Sequence, residues 1–175
     1  MQTFLPRADF VESARCLDNS RLGKQRIECR QILETLLHID QKVSENHSFS
    51  ALRGWVNHPA VLMWRGYNTA LAYYTHSIED EWTRRGFRTS YISYDAGKQR
   101  IELGSEAQRT SIQAFSLKLS DIKLPWWFGY FDLHSSHRAA LLAKDYEYYK
   151  KFKWVERPTI DYWWPTQYPQ LMPKQ

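Results

Sequence analysis

Leu22, Cys29, Leu33 and Leu36 recur at seven-, four- and three-residue steps along one helical stripe, while Arg21, Lys24, Glu28, Gln31 and Thr35 line the opposite side. This pattern predicts a long amphipathic helix over about residues 20–39, capped by the cluster Asp18-Asn19-Ser20. Upstream, Asp9 followed by Glu12 has the form of a capping box and predicts a short helix over residues 10–16. A second long helix opens at Asn57-His58-Pro59, where the N–H that proline lacks has no helical partner to lose. Its stripe of Trp64, Tyr67, Leu71, Tyr74, Ile78 and Trp82 is the clearest core face in the chain, and Arg84-Arg85-Gly86 ends it.

Beyond residue 86 the period changes. Tyr91, Ile92 and Tyr94, then Arg100, Ile101, Glu102 and Leu103, predict two short strands around Asp95-Ala96-Gly97-Lys98, a small β-hairpin. Residues 41–52 read as a polar loop, 108–123 show no clear period, Pro125 to Gly129 form an aromatic turn, and 133–144 predict a third helix. The tail from Arg157, with Pro158, Pro165, Pro169 and Pro173 among Tyr and Trp, reads as extended and laid on the surface. The expected fold is mainly α: a single domain over residues 1–175, a compact helical bundle around two or three long helices. Its core, residues 1–152, contains an insert at 87–123, and residues 153–175 form a Trp/Pro-rich tail.

Length and composition narrow the function. A chain of 175 residues buries a core without metals or disulfides, and Cys16 and Cys29 read as reduced thiols. The first residues lack the pattern of a signal peptide and no apolar run reaches about 18 residues, so a cytoplasmic protein with no membrane span is expected. A net charge of +5 with 15% aromatic residues, 8 Trp and 11 Tyr among them, suits a nucleic acid, which offers phosphates to cations and base faces to rings. Neither a Gly-rich phosphate loop nor a nucleophile elbow is present, which argues against nucleotide hydrolysis and serine hydrolase chemistry. His134 and His137 stand three apart, but no further ligand cluster completes a shell. No metal is expected; contacts to phosphate or caps on backbone groups suit these histidines.

Two stretches carry candidate chemistry. In the first, Glu28 is flanked by Arg21, Lys24, Arg26 and Arg30. It reads either as a solvated face, with Lys24 and Glu28 as an i, i+4 pair worth about 0.2–0.5 kcal/mol, or as one acid–base group working on a polyanion. Arg26 points toward the apolar stripe and needs a partner there, and Gly23 marks the close approach of another group. In the second, residues 144–154 hold four lysines and five aromatics in eleven positions. These stack on bases at about 1–3 kcal/mol each, or pack inward as the end of an amphipathic helix.

The run Leu17-Asp18-Asn19-Ser20-Arg21-Leu22 through Glu28, then Asn57-His58 into a helix ending Arg84-Arg85-Gly86-Phe87, then His134 through Lys144 to Tyr146-Glu147-Tyr148-Tyr149-Lys150, occur in one order. Together they resemble the pyrimidine-dimer DNA glycosylase family of the phage endonuclease V type, particularly its bacterial branch beginning Met-Gln-Thr-Phe-Leu-Pro. The resemblance implies a helical, cofactor-free, monomeric DNA glycosylase with coupled abasic-site β-lyase activity. Its partner would be double-stranded DNA containing a damaged or modified base, a pyrimidine dimer in the characterised members. It also implies that the nucleophile is the chain's own α-amine, here that of Met1 because Gln2 is too bulky to allow its removal, and that Glu28 assists. Lys24 is the fallback amine. Arg21 falls where the phage-type enzymes carry a histidine near the lesion, Lys144 where they carry a phosphate-contacting arginine, and Arg26 beside their first-helix arginine. Tyr148, Tyr149 and Lys150 resemble their aromatic, basic contact to the lesion strand, and His58, His134 and His137 join the expected DNA contacts. The alternatives are a glycosylase for another modified base and a DNA-binding module without catalysis.

Overall fold

The Asp9 carboxylate accepts the Glu12 N–H at 2.7 Å and opens α1, Phe10–Cys16, where the local capping pattern predicts it. The computed structural model describes residues 2–39, 55–88, 92–95, 100–103, 118–167 and 169–171. Helix α2, Asn19–Ile39, begins where Asp18 accepts the Arg21 N–H at 3.0 Å. Leu22, Cys29, Leu33 and Leu36 are all buried along it. Thr35, on the polar side by pattern, is buried as well; its hydroxyl donates to the Gln31 carbonyl at 2.6 Å, which satisfies it inside.

The helix expected from residue 59 to 85 is broken in two. After α3, Pro59–Leu62, the chain turns through Gly66 at φ +80, and α4, Asn68–Arg84, starts behind Tyr67 at φ −127. A left-handed glycine ends a helical run even when the apolar period continues through it. The stripe still packs inward, with Trp64, Leu71, Tyr74 and Ile78 buried. At the far end Gly86 takes φ +87, its N–H reaching the Thr83 carbonyl at 2.8 Å and the Phe87 N–H the Trp82 carbonyl at 3.3 Å. Phe87 stacks on Trp82 at 4.1 Å, the apolar contact that accompanies this helix stop.

Helix α4 packs on α2 and α1. A Cβ at Gly23 would stand 3.1 Å from the Trp82 ring, so the group approaching Gly23 is α4 itself. Strands β1, Ile92–Asp95, and β2, Arg100–Leu103, pair antiparallel with Ile92 opposite Leu103 and Asp95 opposite Arg100. Residues 96–99 between them, the stretch 41–52 read as a loop and residues 104–117 of the insert lie outside the described residues.

Helix α5, Phe131–Lys144, follows a turn at Gly129, and α6, Tyr146–Tyr149, follows at once behind an Asp145 cap. A single turn, Lys150–Phe152, then reverses the chain at Lys153, φ +54. Residues 157–164 form an irregular strap that packs against the core, with Trp163 stacked on Tyr130 at 5.2 Å and the Thr159 N–H bonded to the Ala139 carbonyl at 3.3 Å. One hydrophobic core takes residues from Phe4 to Tyr149. Among the described residues no helix is long and apolar enough to cross a membrane.

Candidate active site

Residues 2–6 are all buried although they form no helix or strand. Buried backbone must find partners, and here side chains supply them. The Phe4 N–H donates to Gln25 Oε1 at 2.9 Å, and the Phe4 carbonyl accepts the Tyr74 hydroxyl at 2.5 Å. The Leu5 N–H donates to His137 Nδ1 at 2.9 Å, and His134 Nδ1 meets the Leu5 carbonyl at 2.7 Å. Arg138 donates to the Pro6 carbonyl at 3.0 Å, and the Trp64 indole N–H to the Thr3 hydroxyl at 2.9 Å. Burial pushes the His137 imidazole down to about 3, which keeps it neutral and able to accept.

Gln25 is the hub of this arrangement. Fully buried on α2, its oxygen takes the Phe4 N–H and lies 3.2 Å from the Tyr74 hydroxyl. Its nitrogen donates to the Gln2 carbonyl at 2.5 Å and to Glu28 Oε2 at 2.8 Å. Glu28 also accepts the Gln2 backbone N–H. Burial raises the Glu28 carboxyl above its ordinary range, against the pull of the amino-terminal charge, the Gln2 N–H, Lys24 and Lys144. A pocket of about 280 Å3 opens over this carboxylate. Gln2 and Phe4 line it from the first segment, Arg21, Lys24, Gln25 and Glu28 from α2, Lys144 from the end of α5, and Tyr162 from the strap.

Four of the sequence candidates therefore meet at one place: Arg21, Lys24, Glu28 and Lys144. Lys24 and Lys144 are exposed there. Arg21 has a second task, donating to Asp18 at 2.8 Å and to the Lys144 carbonyl at 3.0 Å, which ties α2 to the end of α5. Burial works to raise the Asp18 carboxyl, but hydrogen bonds from Tyr149 and Arg21 hold it below the usual range.

The remaining candidates are placed elsewhere. Arg26 lies against α4, 4.7 Å over the Trp82 ring, and donates to the Arg88 carbonyl at 3.2 Å; the partner its position demands is internal. His134 and His137, expected on phosphate, are core residues whose rings hold the first segment; His134 Nε2 also accepts the Gly129 N–H at 3.0 Å. His58 caps α3 through the Ala60 N–H and sits half-buried between Trp55 and Trp164. Tyr149, expected on the lesion strand, is fully buried and donates to Asp18 at 2.6 Å. The Tyr148 hydroxyl bonds the Leu17 carbonyl, Lys151 Nζ covers its ring at 3.5 Å, and Lys150 pairs with Glu147 on the surface. The aromatics of residues 144–154 thus largely pack inward. Met1 lies outside the described residues. Among those described, no group of three or more His, Cys, Asp or Glu is arranged to hold a metal ion.

Gln2, Gln25 and Tyr162 were not among the sequence candidates. Gln25 had a readable signal, since it stands at three- and four-residue steps from Leu22 and Cys29, on the core stripe, where a buried amide needs partners. Tyr162 had none.

Residues 1–95, more than half the chain and including all of α1 to α4, match a model for enzymes of DNA repair that cut glycosidic bonds. The chain belongs to the family described as pyrimidine dimer DNA glycosylase. Its substrate is accordingly DNA. The match runs through β1, into the stretch read as an insert, and stops short of Lys144 and the strap. No curated protein and no solved structure gives a significant match.

Proposed function

We propose that this glycosylase cuts the glycosidic bond of damaged pyrimidines, pyrimidine dimers, in double-stranded DNA and cleaves the resulting abasic site by β-elimination. The Met1 α-amine serves as nucleophile and Glu28 carries protons. The observation that supports this reading is the path of residues 2–6. A buried, irregular segment with nearly every polar group bonded is costly to assemble, and it delivers the Gln2 N–H to Glu28. The residue that bears the amine is the next one along.

The chemistry follows from ordinary reactivity. An α-amine has a reference pKa of about 7.7–8.0 against about 10.4 for lysine, so near neutrality far more of it is free base. Its nitrogen attacks C1′, the C1′–N bond breaks with its electron pair leaving on the base, and the base takes up a proton. The attached amine sheds a proton and its lone pair opens the sugar ring: the C1′–O4′ bond breaks, O4′ takes up a proton, and the resulting iminium acidifies the C2′ proton. Glu28 removes that proton, the C3′–O bond breaks, and the 3′ phosphate departs; water then hydrolyses the imine and frees the amine. A carboxyl raised by burial is a better proton carrier near neutral pH than an exposed one. Lys24 and Lys144 at the pocket mouth suit the flanking phosphates, and reaching C1′ requires a nucleotide to be unstacked, at a few kcal/mol.

Borohydride trapping on a dimer-containing duplex and on an abasic duplex tests the reading. A covalent adduct on Met1, with strand cleavage, is expected; absence of both would sink the lyase part. Lys24 lines the same pocket, so an adduct mapped to its peptide would transfer the nucleophile's role to it. Glu28→Gln should lower cleavage by about 100-fold or more while DNA binding persists.

A further inference from the structure

The pocket over Glu28 has both polar and aromatic lining: Gln2, Gln25 and Glu28 supply the first, Phe4 and Tyr162 the second. In the reaction proposed above, C1′ sits beside Glu28, and the base is one glycosidic bond away. It therefore comes to lie against whichever ring is open to the pocket. Phe4 is only 5% exposed, wedged against His137 at 6.1 Å and Tyr162 at 6.2 Å. Tyr162 is half-buried and lines the pocket. Of the aromatics expected to stack on bases, Tyr148 is covered by Lys151 and Tyr149 is buried against Asp18; neither lines the pocket.

The strap holds Tyr162 from both sides. Before it, Glu156 pairs with Arg138 at 2.6 Å and the Thr159 N–H is bonded to Ala139. After it, Trp163 stacks on Tyr130 within 17° of parallel, and Trp164 meets His58 edge-on at 6.2 Å. A ring fixed in this way is ready to receive the base without first being ordered. Burial and the neighbouring Glu28 charge push its phenol up to about 12, so the ring meets the base uncharged.

We propose that Tyr162 is the specificity-determining residue that touches the target base, stacking on the pyrimidine while its glycosidic bond is cut. On this view residues 157–164, outside the stretch that matches the family, are part of the active site. The inference rests on the glycosylase–lyase reading, and it separates the two chemical steps: base release needs the contact, while cleavage of a site already without its base does not.

The experiment compares the full-length wild type with Tyr162→Ala, Tyr162→Leu and Tyr162→Phe on two duplexes, one with a pyrimidine dimer and one with a preformed abasic site. Single-turnover rates are measured on both, together with each variant's thermal midpoint. Tyr162→Ala and Tyr162→Leu should lose roughly 10- to 100-fold in base release, the range expected for one stacked base. Abasic-site cleavage should stay within about 2-fold, and Tyr162→Phe, which keeps the ring, should stay close to wild type on both. Equal loss on both substrates by Tyr162→Leu at an unchanged midpoint would overturn the proposal, as would no loss on either. A wild type inactive on both duplexes would overturn the glycosylase–lyase reading itself, and the role of Tyr162 with it.

Discussion

Two irregular segments border the Glu28 pocket, and they are held by different physics. Residues 2–6 are fixed at their backbone atoms by hydrogen bonds from Gln25, Tyr74, His134, His137 and Arg138. The strap, residues 157–164, is held chiefly by ring contacts, Trp163 stacked on Tyr130 and Tyr162 tilted against Phe4, with the Ala139 bond and the Glu156 pair before them. Hydrogen bonds are directional and weaken steeply when bent; aromatic contacts tolerate offset and tilt. The first kind of anchoring suits a reacting atom that must arrive at one place. The second suits a wall that meets flat substrates of varying outline.

The sharpest way to break this contrast is Gln25→Leu, which removes the hub and leaves the Phe4 N–H and the Gln2 carbonyl without their partner. Each unsatisfied group costs about 1–3 kcal/mol, so unfolding by denaturant should show a loss of about 2–5 kcal/mol. Single-turnover cleavage of the folded variant should fall by about 100-fold or more, the effect of misplacing a reacting group by an ångström or so. Cleavage that survives intact would show that the segment's position does not matter to the chemistry.

Acid comes next. The folded-state pKa of His137 is about 3 and that of His76 about 4, both depressed by burial from 6.5, so the unfolded chain takes up protons first. Their contribution to stability is complete above pH 6.5 and is lost as the pH falls from there toward 3. Glu28, raised by burial, acts in the opposite sense, since its protonation favours the folded state as pH drops below its folded value. Hydrogen exchange at falling pH should open the Leu5 amide, bonded to His137, before the Thr159 amide in the strap. The reverse order would erase the contrast.

Smaller effects follow. Tyr74→Phe deletes the donor to the Phe4 carbonyl and should cost about 1–2 kcal/mol, with a loss of cleavage below that of Gln25→Leu. Trp163→Leu removes one stacked ring from the strap and should cost about 0.5–1.5 kcal/mol, read as a few degrees in thermal midpoint; abasic-site cleavage should stay near wild type. A variant of Trp163 as inactive as Gln25→Leu would place the strap among the precise anchors.

The helices were legible because their signals are local. The cap at Asp9, the stripe of α2 and the stop at Gly86 each depend on residues within a turn or two. The break at Gly66 was hidden because the apolar stripe runs straight through it, and only the backbone angle shows that the helix ends. At the pocket, charge and order along the chain had marked Glu28, Lys24 and Lys144, which the fold brings to one lining. His134 and His137 were misplaced because, at helical spacing, a histidine serving backbone inside looks the same as one serving phosphate outside. Burial of residues 2–6 depends on side chains more than a hundred positions away, and no local pattern carries that information.

That separation also sets an order of assembly. Residues 5 and 6 receive their partners His134, His137 and Arg138 from α5, about 130 positions later in synthesis. Contacts so distant along the chain form slowly, since the intervening loop must close before they reward it. Helices α1, α2 and α4 have partners in one another long before then. A chain halted before residue 131 still lacks the side chains that seat its beginning beside Glu28. Synthesis of α5 is thus a condition for seating residues 2–6, and a copy truncated before it lacks the wall they give the Glu28 pocket.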